Sequence, residues 1–359
     1  MEKETTITPR KKPEMQQRNS AVYLALTPIV VVCLLGSKVG IRTAKSQESI
    51  LDIKTKITNI VNIGSDKLES DDFFGAIVDV HLDDSNNIYV MDGIERFIAK
   101  FDLRGNLIGK FPLPKGEGPG EYLRPKCFTF DGSRFAIGDI NLMRVTILDQ
   151  KGKYLNSFRV EERPGDIELY GNHLFLSGLF DYSNNRVHVY DIGTKKKILS
   201  ICPANAMTKE IASFGEIDSF KIMSNRLYFS RFFPYEISIY SLNGKLEKKI
   251  TRANAEFEKK LERDKITKSL RFVIGTATIL TSGKHFINVL KGRNIEKRAQ
   301  YSVFDIFKES GEYVTSFSAT DLGEVFIRIA DININGYLVV DSVEPYPRVR
   351  VFLIKDLLN

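Results

Sequence analysis

From residue 76 onward the chain alternates apolar and polar positions in short runs, and one pattern recurs. A polar residue or glycine is followed by an apolar alternating tetrad in NIYVMD (87–92), RFAIGD (134–139), HLFLSG (173–178), RLYFSR (226–231), HFINVL (285–290) and GYLVVD (336–341). Such alternation, rich in β-branched and aromatic residues, predicts strands. With Ile88, Phe135, Leu174, Leu227, Phe286 and Tyr337 as anchors, the spacings are 47, 39, 53, 59 and 51 residues. Six copies at about fifty residues predict the blades of a β-propeller.

Each copy brings neighbours of its own. A second alternating run follows: FIAKFD (97–102), RVTILD (144–149), RVHVYD (186–191), EISIYS (236–241), QYSVFD (300–305) and RVRVFL (348–353). Another precedes it: AIVDVHLDD, KCFTFDG, GDIELYG, DSFKIMS, TATILTSG and RIADININ. In several copies a glycine turn then leads into a fourth strand, as in DLRGNLIGKF (102–111), DQKGKYLNSF (149–158) and SLNGKLEKKI (241–250). Each glycine stands where a hairpin wants positive φ. The predicted fold is all-β, a six-bladed β-propeller of four-stranded antiparallel blades. The sixth copy has no fourth strand after Leu353, whereas ILDIKTKITNIVNI (50–63) is a strand-like surplus before the first. An open ring exposes two sheet edges, so the N-terminal strand is expected to close blade six.

The stretch KGEGPGEYLRPKCFTFD (115–131) joins copies one and two. A phosphate-cradling glycine loop needs a strand before it and a helix N-terminus after it. Here CFTFDG alternates as a strand, and no GKS or GKT ending is present. The glycines and prolines therefore read as a crossing between radially placed sheets, with Pro125 stiffening the approach to the next blade. GEGPGEYLRP before an apolar strand, after KFDLRGNLIGKF and before RVTILDQKGKYLNSF, resembles the NHL-repeat signature. It is more similar still to the six-bladed β-propeller proteins common in Bacteroidetes, many of them exported. The likeness covers roughly residues 50–359 and implies architecture and export rather than a reaction.

Composition narrows the partners. The chain has 359 residues, 43% of them hydrophobic, which is ample for a large core. Of the net charge of +7, residues 1–37 contribute five Lys/Arg against three Asp/Glu, and the remaining +5 argues against a nucleic-acid partner. Residues 245–298 hold fifteen Lys/Arg and six Asp/Glu, a bias read as a solvated face or as a dock for an acidic partner. Within them, EFEKKLERDKITKSL (256–270) has Phe257 and Leu261 at i, i+4 and predicts a short amphipathic helix. Cys33, Cys127 and Cys202 show no CxxC spacing, so neither a zinc site nor a disulfide framework is indicated. Cys127 falls on an alternating strand and is expected to be a small buried hydrophobe.

Residues 21–37, AVYLALTPIVVVCLLGS, carry no charge and follow Arg10, Lys11, Lys12 and Arg18. A basic segment ahead of an apolar one is the form of an export signal, and the run is just long enough for a membrane anchor. Leu35 fits poorly at −3 from a cleavage after Ser37, and Val32 before Cys33 argues against lipidation. The expected organisation is a basic tail at 1–20, a signal peptide or anchor at 21–37, a linker at 38–49 and the propeller at 50–359, exported to the periplasm or cell envelope.

In a propeller, the loops from second to third strand share one face with the junctions between blades, and ligands usually sit there over the channel. That face is expected to carry Asp92, Arg96, Asp139, Arg144, Arg186, Arg231, Asp341 and Arg348, with Glu117 and Glu121 in the glycine-rich junction. The recurring Asp and Arg can tie their loops down through charge-assisted hydrogen bonds, or form a partly basic rim for an acidic group. His81, His173, His188 and His285 show no convergent spacing for zinc. Asp79, Glu168, Asp218 and Asp331 fall on innermost strands, where likeness to NHL-like lyases and gluconolactonase-like propellers implies metal ligands. A water-filled channel is the simpler account. With no G-x-S-x-G elbow, no catalytic residue and no cofactor is assigned. The expected function is an exported, non-enzymatic scaffold binding a protein, peptide or glycan on the loop-rich face. The alternative is a lyase or lactonase dependent on Ca²⁺ or Zn²⁺ at the channel.

Overall fold

The computed structural model describes residues 52–205, 218–231, 234–251, 262–263, 270–271, 274–294 and 299–358. The signal or anchor at 21–37, its basic tail and the linker lie outside the described residues, as does Cys33. Six four-stranded antiparallel sheets follow one another along the chain as the blades of a propeller. From innermost to outermost strand, blade 1 runs Ile77–Leu82, Ile88–Asp92, Phe97–Phe101 and Leu107–Pro112. Blade 2 runs Pro125–Phe130, Arg134–Asp139, Arg144–Asp149 and Tyr154–Arg159. Blade 3 runs Arg163–Tyr170, His173–Leu179, Asn185–Asp191 and Lys196–Pro203. Blade 4 runs Ser219–Met223, Arg226–Ser230, Ile237–Ser241 and Leu246–Ile250. Blade 5 runs Ile274–Ser282, His285–Asn294, Ala299–Lys308 and Tyr313–Ser318.

Blade 6 takes three strands from the C-terminal end, Ala330–Ile332, Tyr337–Ser342 and Arg348–Leu353. Its fourth is Thr58–Ile63, which pairs antiparallel with Arg348–Leu353 from Thr58↔Leu353 to Ile63↔Val349. The expected closure is present. The strand is shorter than the run 50–63 suggested, because residues 52–55 form a helical turn.

The core is divided among the blade interfaces. One apolar cluster joins blades 2 and 3 through Cys127, Ile147 and Phe158 against Ile167, Leu174 and Leu176. Another joins blades 6 and 1 through Val339, Val349 and Val351 against Ile77, Ile88 and Phe101. Each sheet is thus covered on both faces, which is why Ile88–Asp92 is buried at every position despite its alternating look. Full burial of these strands removes apolar surface at roughly 25 cal/mol per Å², the main stabilising contribution to the ring.

The expected helix over 256–270 is not what the described part of that segment forms. Glu262–Arg263 pairs antiparallel with Leu270–Arg271 as a short ladder. The rest of 256–270, with Phe257 and Leu261, lies outside the described residues.

Candidate functional site

The strands order the loops into two faces. The junction face carries the between-blade crossings and the loops from second to third strand. The hairpin face carries the tight turns from first to second strand.

On the junction face the recurring aspartates bind backbone. Asp92 is fully buried and accepts from Gly75 N at 2.6 Å, Ile94 N at 2.7 Å and Glu95 N at 2.8 Å. Asp139 repeats this with Leu123 N at 2.7 Å, Arg124 N at 2.8 Å, and Asn141 N and Leu142 N at 2.9 Å. Asp341 accepts from Arg328 N at 2.8 Å and Ile329 N at 2.9 Å, and from Arg328 Nε at 2.7 Å. Each carboxylate fastens the corner of its own blade to the start of that blade's innermost strand.

The arginines reach in other directions. Arg96 donates to the carbonyls of Leu113 at 3.2 Å and Leu123 at 3.5 Å, and to that of Tyr122. Arg144 donates to the carbonyl of Glu117 at 2.8 Å and to that of Glu121. Two guanidiniums thereby clasp the glycine-rich junction, and Glu121 Oε2 accepts from Gly118 N within it at 2.8 Å. Arg186 is almost wholly buried and donates from Nε to Asp218 Oδ2 at 2.9 Å, so Asp218 lies between blades rather than in the channel. Arg231 meets Glu236 at 3.2 Å and the Pro203 carbonyl at 2.7 Å. Arg348 stands 3.7 Å from Glu324 Oε1. These partners are all intramolecular.

The channel collects a different set. Asp79, His81, Asp166, Lys221 and Asp331 line its upper part, and Glu168 joins His81, Lys221 and Asp331 below. Alternation on the innermost strands aims these side chains inward. Asp331 Oδ2 is 3.0 Å from His81 Nδ1 and accepts from Leu82 N at 2.9 Å. Burial pushes Asp79 up to about 7, although Phe128 N–H and nearby lysines pull the other way. Burial also raises Asp166 and Glu168. Burial acts to raise Asp331 too, but Lys221 and His81 outweigh it and hold it low. Lys221 experiences burial first, yet Glu168, Asp331, Asp166 and Asp79 together hold its ammonium above the ordinary lysine range.

Lys221 decides how the channel suits a metal. Its ammonium stands 3.6 Å from Glu168 Oε2, where a divalent ion bound to these carboxylates would meet a like charge. Among the described residues no three His, Cys, Asp or Glu side chains form a cluster that could hold a metal. His188 is buried in blade 3 between Asp181 Oδ2 at 3.0 Å and Ser200 Oγ at 2.9 Å, away from His81. His173 and His285 start second strands on the hairpin face. Asp79, Glu168 and Asp331 line the channel from innermost strands, as expected, Asp79 in its upper part and Glu168 below. Lys221 and Asp166 were not anticipated; a charged residue on the inward alternation of SFKIM was the available signal.

Cavities open on both faces. Below the waist formed by Lys221, a cavity of about 910 Å³ opens at the hairpin face. Above it lies a space of about 280 Å³. Beside that, a groove of about 490 Å³ runs over Ile94, Leu123, Ile140, Leu179 and Phe180, with Arg124 and Lys126 along it.

The chain matches no protein-family model and no curated protein. It is similar to solved structures. One is the "Putative exported protein" of Bacteroides fragilis, at a TM-score of 0.55 and 11% identity over 83% of this chain and 95% of that one. Another is a member of the DUF4221 family from Bacteroides vulgatus, at a TM-score of 0.55 and 8% identity over 82% of this chain and 98% of that one. At such identities the likeness is one of fold. A streptogramin B lyase also aligns, at a TM-score of 0.48 and 12% identity over 79% of this chain and 81% of that one.

Proposed function

We propose that the chain is an exported, non-enzymatic scaffold whose junction face takes a protein or peptide partner. One observation carries the reading: that face exposes large apolar side chains from several blades. Ile94 is 63% exposed and Val325 65%, and Leu68, Phe180, Tyr182 and Val343 are exposed on the same side. Of these, Ile94 and Phe180 border the groove, and apolar side chains so placed suit an extended segment inserting its own apolar residues. Arg124 and Lys126 along the groove favour acidic residues flanking them. The Asp and Arg residues of the corners support the partner indirectly, by holding the loops in one shape.

Export is supported by the basic segment and uncharged run at 10–37, and by the name of the Bacteroides fragilis protein. The NHL-like junction GEGPGEYLRP belongs to this reading as a likeness of motif. The metal-dependent lyase is the less favoured reading, because Lys221 occupies the charge-balancing position among the channel carboxylates.

Selection from a displayed peptide library on the purified full chain tests the proposal. Each pool is counter-selected against an Ile94→Asp, Phe180→Asp double variant. Enriched peptides with apolar anchors and acidic flanks that are lost on the double variant support it. No enrichment, or peptides retained by a folded double variant, overturns it.

A further inference from the structure

We infer that the opposite, hairpin-lined mouth of the channel is a separate binding site for a neutral saccharide. This inference does not depend on a partner at the junction face.

Hydrogen bonds between turns bridge four of the six blade junctions around the mouth. Asn333 Nδ2 of blade 6 donates to Asp83 O at 3.0 Å and Asn86 Oδ1 at 2.8 Å in blade 1. Arg134 Nη2 of blade 2 donates to Gly171 O of blade 3 at 2.7 Å. Tyr170 OH of blade 3 donates to Asn225 Oδ1 of blade 4 at 3.1 Å. Ser282 Oγ of blade 5 donates to Asn333 O of blade 6 at 2.6 Å. Turns bonded to one another lose little freedom when a ligand arrives, which is what preorganisation requires.

The floor of the cavity presents an ion pair with hydrogen-bonding capacity that the described residues leave open. Glu168 Oε2 is buried and has no hydrogen-bond partner among the described residues. Lys221 Nζ lies 3.6 Å away, and no described residue accepts a hydrogen bond from it. An acceptor and a charged donor side by side call for a group that both donates and accepts. A hydroxyl does so, giving its proton to the carboxylate while its oxygen receives from the ammonium. Water can meet that need singly; a sugar meets it with several hydroxyls on one ring.

Size, charge and rim then narrow the class. The cavity's 910 Å³ lies within the roughly 300–1,000 Å³ that small-molecule sites occupy. Its lining carries five Asp/Glu against three Lys/Arg, which disfavours phosphates and other polyanions. Tyr170 stands at the rim, 40% exposed, with its hydroxyl fixed by Asn225, so an apolar sugar face can stack on it.

The test uses the full chain on an array of neutral and acidic oligosaccharides, followed by calorimetric titration of the best neutral binder. The expected result is binding of at least one neutral di- or trisaccharide in preference to its uronate counterpart. Tyr170→Ala and Lys221→Met should each weaken it at least tenfold, and Ile108→Ala, on an outer strand, should leave it unchanged. Tyr170 lies at the rim, so its variant keeps the test sound if Lys221→Met fails to fold. No neutral saccharide bound, tighter binding of the uronate, or affinity untouched in folded Tyr170→Ala would each overturn the inference.

Discussion

The carboxylate of Asp79 in blade 1 accepts a hydrogen bond from the backbone N–H of Phe128 in blade 2, at 2.8 Å. Asp331 does the same for Leu82 across the closure between blades 6 and 1, at 2.9 Å. Innermost strands of neighbouring blades have no ladder between them. A side chain from one strand therefore satisfies a backbone donor of the next, and the channel wall is stitched by carboxylates.

That stitch makes stability depend on pH. Asp79 titrates at about 7 in the folded chain against an ordinary 3.8. Between those values the folded state keeps a proton that the unfolded state has released, so stability falls as pH rises through this window. Asp166 and Glu168 are raised too and act in the same direction. Tm should decline from pH 5 to pH 8, and Asp79→Asn should make the decline shallower. Scanning calorimetry across that range checks it; an unchanged slope in the variant refutes the assignment.

The corner aspartates should be costly to remove. Asp139→Ala removes the shared acceptor of the part-buried N–H groups of Leu123, Arg124, Asn141 and Leu142. Each unsatisfied group costs about 1–3 kcal/mol, so a loss of at least roughly 3 kcal/mol is expected in urea unfolding. A loss below about 1 kcal/mol would show that water replaces the carboxylate without difficulty.

Closure of the ring can be tested at one side chain. Ile63, at 2% exposure, packs with Val349 and Val351 in the interface between blades 6 and 1. Ile63→Ala should lose about 2–4 kcal/mol. Deleting residues 52–63 should leave Arg348–Leu353 as a bare edge and give self-association on size-exclusion chromatography. A monomeric deletion variant with unchanged Tm would remove the closure from the account.

The two described cysteines should be silent. Cys127 and Cys202 are buried, and burial lifts both thiols well above their usual range. In a Cys33→Ser background, a thiol reagent should label neither residue in the native protein and both after denaturation. Rapid native labelling would mean that the blades 2–3 or 3–4 interface opens readily.

The repeat was legible because every blade spends the same strand pattern, so an error in one copy is corrected by five others. The closing strand was legible from a deficit at one end and a surplus at the other. The Asp92, Asp139 and Asp341 series was visible as a pattern, but its partners were not, since backbone N–H groups leave no mark on a sequence. For the same reason Arg96 and Arg144 read equally as loop ties or as a rim, and only the structure shows their donors going to carbonyls at the glycine-rich junction. Lys221 escaped notice because its meaning comes from Asp79, Asp166, Glu168 and Asp331 on three other blades, brought to it only by closing the circle. In the segment 256–270 the described residues Glu262–Arg263 pair as a short strand with Leu270–Arg271, a contact between positions that no local periodicity marks.

Blade 6 unites strands made some 290 residues apart, Thr58–Ile63 early and Arg348–Leu353 late. While the chain emerges from a ribosome, the early strand has nowhere to dock. The annulus can lock only once Arg348–Leu353 has been made, so a product cut short of it keeps blade 6 unsealed, with strand edges open to mispairing.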